Sequence, residues 1–414
     1  MPAAVARSFR QAGEKPMSTA FPRIICLSAT IFLLTSSAVA QHDPGGITGG
    51  GMIGGSTSRP TTKPATKPAT KPATTTTTRP RPRPTTPVVK RPTSTTYNAD
   101  YYYQQGESLY NTQKYREALD QYLKATELNP SMSAALYRIG WIYNDLEDYG
   151  SAVAPLKRVT TLQPNNAAAH FELGYAYKKL ERYTEAVPVF QTTVRLQPDY
   201  AAAHYELGWI NNEQKNYDAA IRNLRTALSY RADYADAHNE LGYAFRNLGR
   251  YPEAITAYQG AIRLKPDFGL AHLGLGDVYY YNVKNYTEAA RSYKRGLELR
   301  PGNVTAQYNL GWCYNDLERY GEAVEELRKT IQLQPNYPEA HNELGYALHQ
   351  LGRYQEAVQQ YHIAIQQKTD YASAHYNLGM SFVALRNRQG ALQQYRILQR
   401  IDNARATKLF NQMK

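Results

Sequence analysis

Six histidines recur at one position of a repeating pattern: His170, His204, His238, His272, His341 and His375. Imidazoles in a regular ladder are what a zinc site would use, and zinc takes nitrogen ligands at about 2.0–2.1 Å. Equivalent positions on stacked helical units, however, lie roughly 8–10 Å apart, about one helix-packing distance. The six cannot share an ion, and their place on a packing stripe makes them structural. Other chemistry is as sparse. The sequence holds neither H-E-x-x-H nor a cysteine pair, and neither G-x-S-x-G nor a Walker-type phosphate loop. Cys313 stands alone once a leader containing Cys26 is removed; without a cationic neighbour it reads as a buried, inert thiol. Glu172, Glu206, Glu240 and Glu343 recur because the pattern recurs, so a solvated or inter-repeat ion-pair role is expected. No catalytic, metal-binding or cofactor-binding residue is assigned.

What positions these residues is a copied unit. The run AAAHFELGYAYKKLERYTEAVPVFQTTVRLQPDY from Ala167 is followed by AAAHYELGWINNEQKNYDAAIRNLRTALSYRADY, the same pattern 34 residues on. That period marks a solenoid. His170, Leu173, Gly174 and Tyr177 fall at i, i+3, i+4 and i+7, one stripe of a helix, and Ala186, Phe190 and Thr193 make a stripe on a second. Residues 181–184 form a short turn between the two, and Pro198 stops the second helix. Tyr115, Tyr149, Tyr183 and their successors mark that turn in the first eight copies, and Arg388 departs in the ninth. A glycine recurs from Gly106 to Gly379, although glycine inside a helix costs about 1 kcal/mol relative to alanine. Its recurrence predicts close packing of paired helices, opposite the small residue at Ala186 and its equivalents.

The pattern L-G-x-x-[YF] followed by A-x3-[FY]-x2-A-x4-P resembles the tetratricopeptide repeat. Nine copies match, beginning near Ala99, Ser133, Ala167, Ala201, Ala235, Gly269, Val304, Pro338 and Ala372. The resemblance implies an all-α, right-handed superhelical solenoid of helical hairpins. Departures are Gln105 for the usual leucine, Ala232 and Thr369 for the proline, and one extra residue in the sixth copy. A final stripe, Ala406, Leu409, Phe410 and Met413, is expected to cap the solenoid with a last helix over 404–414.

In the resembling family the opposite stripe of each first helix lines a concave groove. Here it holds Tyr137, Phe171, Tyr205 and Tyr308, and four residues on Trp141, Tyr175, Trp209, Tyr243, Trp312 and Tyr346. Three residues further, Asn144, Asn212 and Asn315 alternate with Lys178, Arg246 and His349. The unit is thus a pair of hairpins, one of W-x2-N type and one of Y-x2-basic type. Two meanings stay open: ancestry of a duplicated pair whose rings pack on the next helix, or an aromatic row with interleaved amides and bases for an extended ligand. The carboxylate clamp of some family members is not expected, because Trp141, Tyr175 or Glu107 stands where its asparagine would be. The sixth copy breaks the row with Asp277 and Tyr279-Tyr280-Tyr281, and its extra residue should form a hinge or a notch.

The chain is 42% hydrophobic and 20% charged, which suits a globular body. Of its net charge of +13, residues 1–40 carry +3 and residues 41–98 carry +8, leaving +2 for the repeats. Residues 24–40, IICLSATIFLLTSSAVA after Arg23, have the basic start, short apolar run and A-x-A end of a secretory signal peptide, cut before Gln41. Met17 would give a more ordinary leader length than Met1. Residues 41–98 run through GGITGGGMIGG, TKPATKPATKPA and TTTTTRPRPRPTTP, too poor in apolar residues to fold, and read as a disordered basic linker. Such a linker spaces the repeats from the envelope or contacts an anionic envelope polymer; export argues against nucleic acid as the partner.

The sequence therefore points to four segments: leader 1–40, linker 41–98, repeats 99–403 and cap 404–414. Its expected role is an exported, periplasmic or secreted, non-enzymatic scaffold that binds an extended protein segment, tethered to the membrane if the leader stays. The rivals are an envelope glycan binder and an accessory subunit that positions an enzyme.

Overall fold

The computed structural model describes residues 97–414. The expected leader, and the basic linker up to residue 96, lie outside the described residues. Every described element is a helix. The first four hairpins pair α1 (Ala99–Asn111) with α2 (Tyr115–Leu128), α3 (Ser133–Asp145) with α4 (Tyr149–Leu162), α5 (Ala167–Lys179) with α6 (Tyr183–Leu196), and α7 (Ala201–Glu213) with α8 (Tyr217–Tyr230). The next are α9 (Ala235–Asn247) with α10 (Tyr251–Leu264), and α11 (Gly269–Asp277) with α12 (Tyr286–Leu299). The last three are α13 (Val304–Asp316) with α14 (Tyr320–Leu333), α15 (Pro338–Gln350) with α16 (Tyr354–Gln367), and α17 (Ala372–Ala384) with α18 (Arg388–Ile401). A single helix, α19 (Asn403–Gln412), follows. Among the described residues no helix is long and apolar enough to cross a membrane.

The recurring glycine allows the close approach, but not opposite the small residue. A Cβ on Gly174 would stand 2.8 Å from the Phe190 ring, on Gly242 2.9 Å from Tyr258, and on Gly345 2.6 Å from Tyr361. Ala186 and its equivalents are buried beside this contact; the close neighbour is the large side chain four residues beyond. Gly379 is the exception, facing Leu409 of α19. The cap helix thus supplies the side chain that covers the ninth hairpin. Ala406 and Leu409 of its expected stripe are fully buried, whereas Phe410 is exposed and packs against Tyr395 at 5.3 Å.

The turn inside each hairpin is shorter than expected: Tyr183 and Thr184 already belong to α6. Arg182 N donates to Tyr177 O and Glu181 N to Lys178 O, both 2.9 Å, the paired bonds that close a helix through a left-handed residue. That residue has φ of +58° to +74° in all nine hairpins, yet only Gly249 and Gly352 are glycine there. Six of the other seven, Lys215 among them, hold the conformation with that same pair of bonds, whereas at Lys284 both its own N–H and that of Asn285 donate to Tyr279 O.

In the sixth copy the extra residue is absorbed as a π-helical turn, Val278–Val283, ended by Lys284 at φ +63°. Insertion of one residue into a helix is commonly accommodated by such wider turns. Tyr280 becomes buried and donates to Asp316 Oδ2 at 2.8 Å, while Tyr281 donates to Asn309 Oδ1 at 2.8 Å. The segment expected to be a hinge or a notch is bonded to the seventh hairpin by both hydroxyls.

Each second helix packs on the first helix of the next hairpin, and first helices also touch one another from hairpins two to six and seven to nine. First helices therefore form the tight inner row of the stack.

Candidate functional site

Aromatic rings on the inner row meet those of the preceding hairpin. Trp141 lies edge-on to Tyr115 at 5.7 Å, Tyr175 to Tyr149 at 6.2 Å and Trp209 to Tyr183 at 6.1 Å. Tyr243 meets Tyr217 at 6.2 Å, and Tyr346 meets Tyr320 at 6.1 Å, all five with ring planes crossed at 63° to 74°. Edge-to-face contacts at such distances suit the ring quadrupole and contribute about 0.5–1.5 kcal/mol each beyond burial. Trp312 meets Tyr280 at 5.7 Å in the altered sixth unit. The result is a row of aromatic pairs, each joining the start of a second helix to the middle of the next first helix. Tyr115, Tyr149, Tyr183, Tyr217 and Tyr320 belong to it, although the sequence reading placed them only at turns.

Of the residues expected to line a groove, Tyr137, Trp141, Tyr175, Tyr205, Trp209, Tyr243 and Trp312 are half-buried and keep part of their surface in solvent. The indoles are thus neither sealed nor fully open. Phe171, Tyr308 and Tyr346 are buried and cannot serve as open contacts. Phe171 and Tyr308 lie against Tyr200 and Tyr337, the tyrosines that precede the next first helix, at 4.9 and 5.0 Å. Tyr205 meets Tyr234 in the same way at 4.7 Å.

The amides and bases three residues beyond the aromatic row depart further from expectation. Asn144, Asn212 and Asn315 are 7%, 1% and 1% exposed, too buried to grip a ligand. Each turns its amide to the next hairpin. Asn144 Nδ2 donates to Glu172 O and Oε2 at 3.0 and 2.9 Å, Asn212 Nδ2 to Glu240 at 3.0 and 3.0 Å, and Asn315 Nδ2 to Glu343 at 3.2 and 3.1 Å. Lys178 occupies the alternate position and pairs with Glu206 at 2.5 Å. Arg246 pairs with Asp277 at 2.5 Å. His349 Nδ1 lies 2.8 Å from Ser381 Oγ, and burial pushes its pKa down to about 4, so it is no cation at neutral pH.

The alternation of amide and base is thus a ladder of bonds between hairpins, and its partners Glu172, Glu206 and Glu240 are buried rather than solvated. A buried carboxylate needs a donor or a cation, because loss of hydration is otherwise uncompensated. Burial raises the Glu172 pKa to about 7, against the lowering effect of the Asn144 amide.

The histidine ladder closes the other end of six of the nine first helices. Nε2 of His170, His204, His238, His272, His341 and His375 donates to the carbonyl six residues earlier, at 2.9 to 3.3 Å. Each ring ties its helix to the loop from the previous hairpin. Among the described residues no three His, Cys, Asp or Glu side chains are placed to hold a metal ion. Cys313 is fully buried, and burial pushes its thiol well above the ordinary range, consistent with an inert side chain.

Each tryptophan of the inner row is followed four residues on by a carboxylate: Trp141 by Asp145, Trp209 by Glu213 and Trp312 by Asp316. The spacing is visible in the strings WIYND, WINNE and WCYND. On a helix, residues i and i+4 share a face with Cβ atoms about 5–6 Å apart.

Comparison with known proteins agrees with this architecture. A family described as TPR repeat matches residues 210–249, 242–283, 313–352 and 345–385, and one described as tetratricopeptide repeat matches 103–167 and 171–222. No curated protein matches the chain. Among solved structures, YrrB, described as a TPR protein with an unusual peptide-binding site, is 24% identical with a TM-score of 0.43, covering 45% of this chain and 97% of that one. A MamA structure is 30% identical with a TM-score of 0.37, covering 39% and 95%. The C-terminal part of a TPR repeat-containing protein from Cytophaga hutchinsonii is 16% identical with a TM-score of 0.48, covering 58% and 99%. The family matches span more than half of the sequence and fall on the hairpins described above; the chain belongs to the tetratricopeptide-repeat family.

Proposed function

We propose that this protein is an exported scaffold, without catalytic activity of its own, whose inner row of first helices takes an extended segment of a partner protein. The observation that carries the reading is the crossed aromatic row, half-buried and repeated from hairpin to hairpin. Rings that meet edge-on present alternating faces and edges rather than one flat platform. Such a surface suits the side chains or prolines of an extended peptide, each ring giving contact area and a polar tip, whereas a sugar would need an open ring face. Export rests on the leader-like residues 24–40 and the A-x-A end before Gln41.

Trp209→Ala in the full chain is expected to weaken binding of such a peptide about 30-fold, the roughly 2 kcal/mol of an interface hot spot. Leu333→Ala, on the outer face of α14 where the side chain is 47% exposed, serves as the control. Isothermal titration of both variants decides it. Equal affinities for the two would place the contact elsewhere.

A further inference from the structure

We infer that the inner row selects cationic segments, each Trp–carboxylate pair (Trp141 with Asp145, Trp209 with Glu213, Trp312 with Asp316) receiving one lysine or arginine of the bound peptide. The inference rests on the peptide-binding reading above and names the chemistry of the partner. All three tryptophans carry an acid one turn further on the same face, whereas the tyrosine-type hairpins place Lys179, Asn247 and Gln350 there. Asp145 is exposed, and Glu213 and Asp316 are half-buried. Trp141 touches Tyr110 at 5.3 Å, and the Arg138 guanidinium that lies over the Tyr110 ring is itself paired with Glu107. Asp316 Oδ2 accepts from Tyr280, the ring beside Trp312.

The molecule also contains its own example of the recognition. Lys178 Nζ lies 4.7 Å above the Trp209 ring while pairing with the Glu206 carboxylate. One indole and one acid thus already hold a cation from the neighbouring hairpin; a guest cation would use the same pairing of an aromatic face with a carboxylate. Hairpins two and four are two units apart, about 20 Å at roughly 10 Å per helix. An extended peptide spans that distance in about six residues.

The test uses the full chain and three proline-spaced peptides of equal length, with two positions six residues apart occupied by arginine, glutamine or glutamate. Affinity is read by calorimetry and tryptophan emission at fixed salt, since charge contacts weaken with ionic strength. The arginine peptide is expected to bind at least tenfold more tightly than the glutamine peptide. In D145N/E213Q/D316N that preference should fall below threefold, with the affinity for the glutamine peptide unchanged and the melting temperature retained. Equal binding of the arginine and glutamine peptides to the wild type would overturn the inference while leaving the peptide groove standing. So would a preference that survives in the amide variant. If none of the three peptides binds, the groove reading fails and this inference fails with it.

Discussion

Replacing Lys178 by methionine is expected to destabilise the solenoid by about 3–5 kcal/mol, the cost of leaving a buried carboxylate without its cation. Glu206 is 4% exposed and Lys178 is its partner at 2.5 Å, so water cannot take over the role. The pair also joins hairpins three and four. In a repeat protein, stability is approximately a sum of unit and neighbour terms, and weakening one neighbour term uncouples the parts on either side. Thermal unfolding of Lys178→Met should therefore split into two transitions. The double variant K178M/E206M removes both charges from the seam and should recover most of the loss. A single variant that melts like the wild type would show that this bond contributes nothing to coupling.

Glu172→Gln should act in the opposite direction, and only at high pH. The Glu172 carboxyl titrates at about 7 in the folded chain against a reference value of 4.5, because burial disfavours the charged form. Its contribution to stability is therefore full below pH 4.5, declines as pH rises through about 7, and is lost above that. The difference corresponds to about 3 kcal/mol. Glutamine stays neutral and can still accept the Asn144 amide, so the variant should exceed the wild type by about that amount at pH 8 and equal it at pH 4. Urea unfolding at the two pH values measures this; parallel pH profiles for the two proteins would contradict it.

These expectations turn on residues whose meaning changed between sequence and structure. The hairpins were legible because each unit carries its own helix stripes and stop signals, and Gly174, Ala186 and Pro198 repeat in register. What those residues touch was less legible. Gly174 was expected opposite Ala186 but faces Phe190, because packing depends on side-chain length as well as on which stripe a residue occupies. Asn144 and Lys178 lie on the inner stripe, yet they reach sideways to Glu172 and Glu206. A pattern within one repeat cannot distinguish a side chain offered to a ligand from one bonded to the next repeat, since both recur with the same period. The tyrosines at Tyr115, Tyr149 and Tyr183 illustrate the converse: they were assigned to turns and join the aromatic row only when successive hairpins are stacked. The carboxylates after each tryptophan were readable throughout as W-x3-[DE], but a single acid at i+4 carries little weight until its helix face is known.

Hydrogen–deuterium exchange of the full chain, with and without a saturating bound peptide, tests most directly whether the inner row is the binding surface. Protection is expected to concentrate on α3, α5, α7 and α13 and on the first turns of α2 and α6, which carry Tyr115 and Tyr183. Protection confined to the outer turns of α8, α10 and α14, with the tryptophan-bearing helices unchanged, would contradict the account.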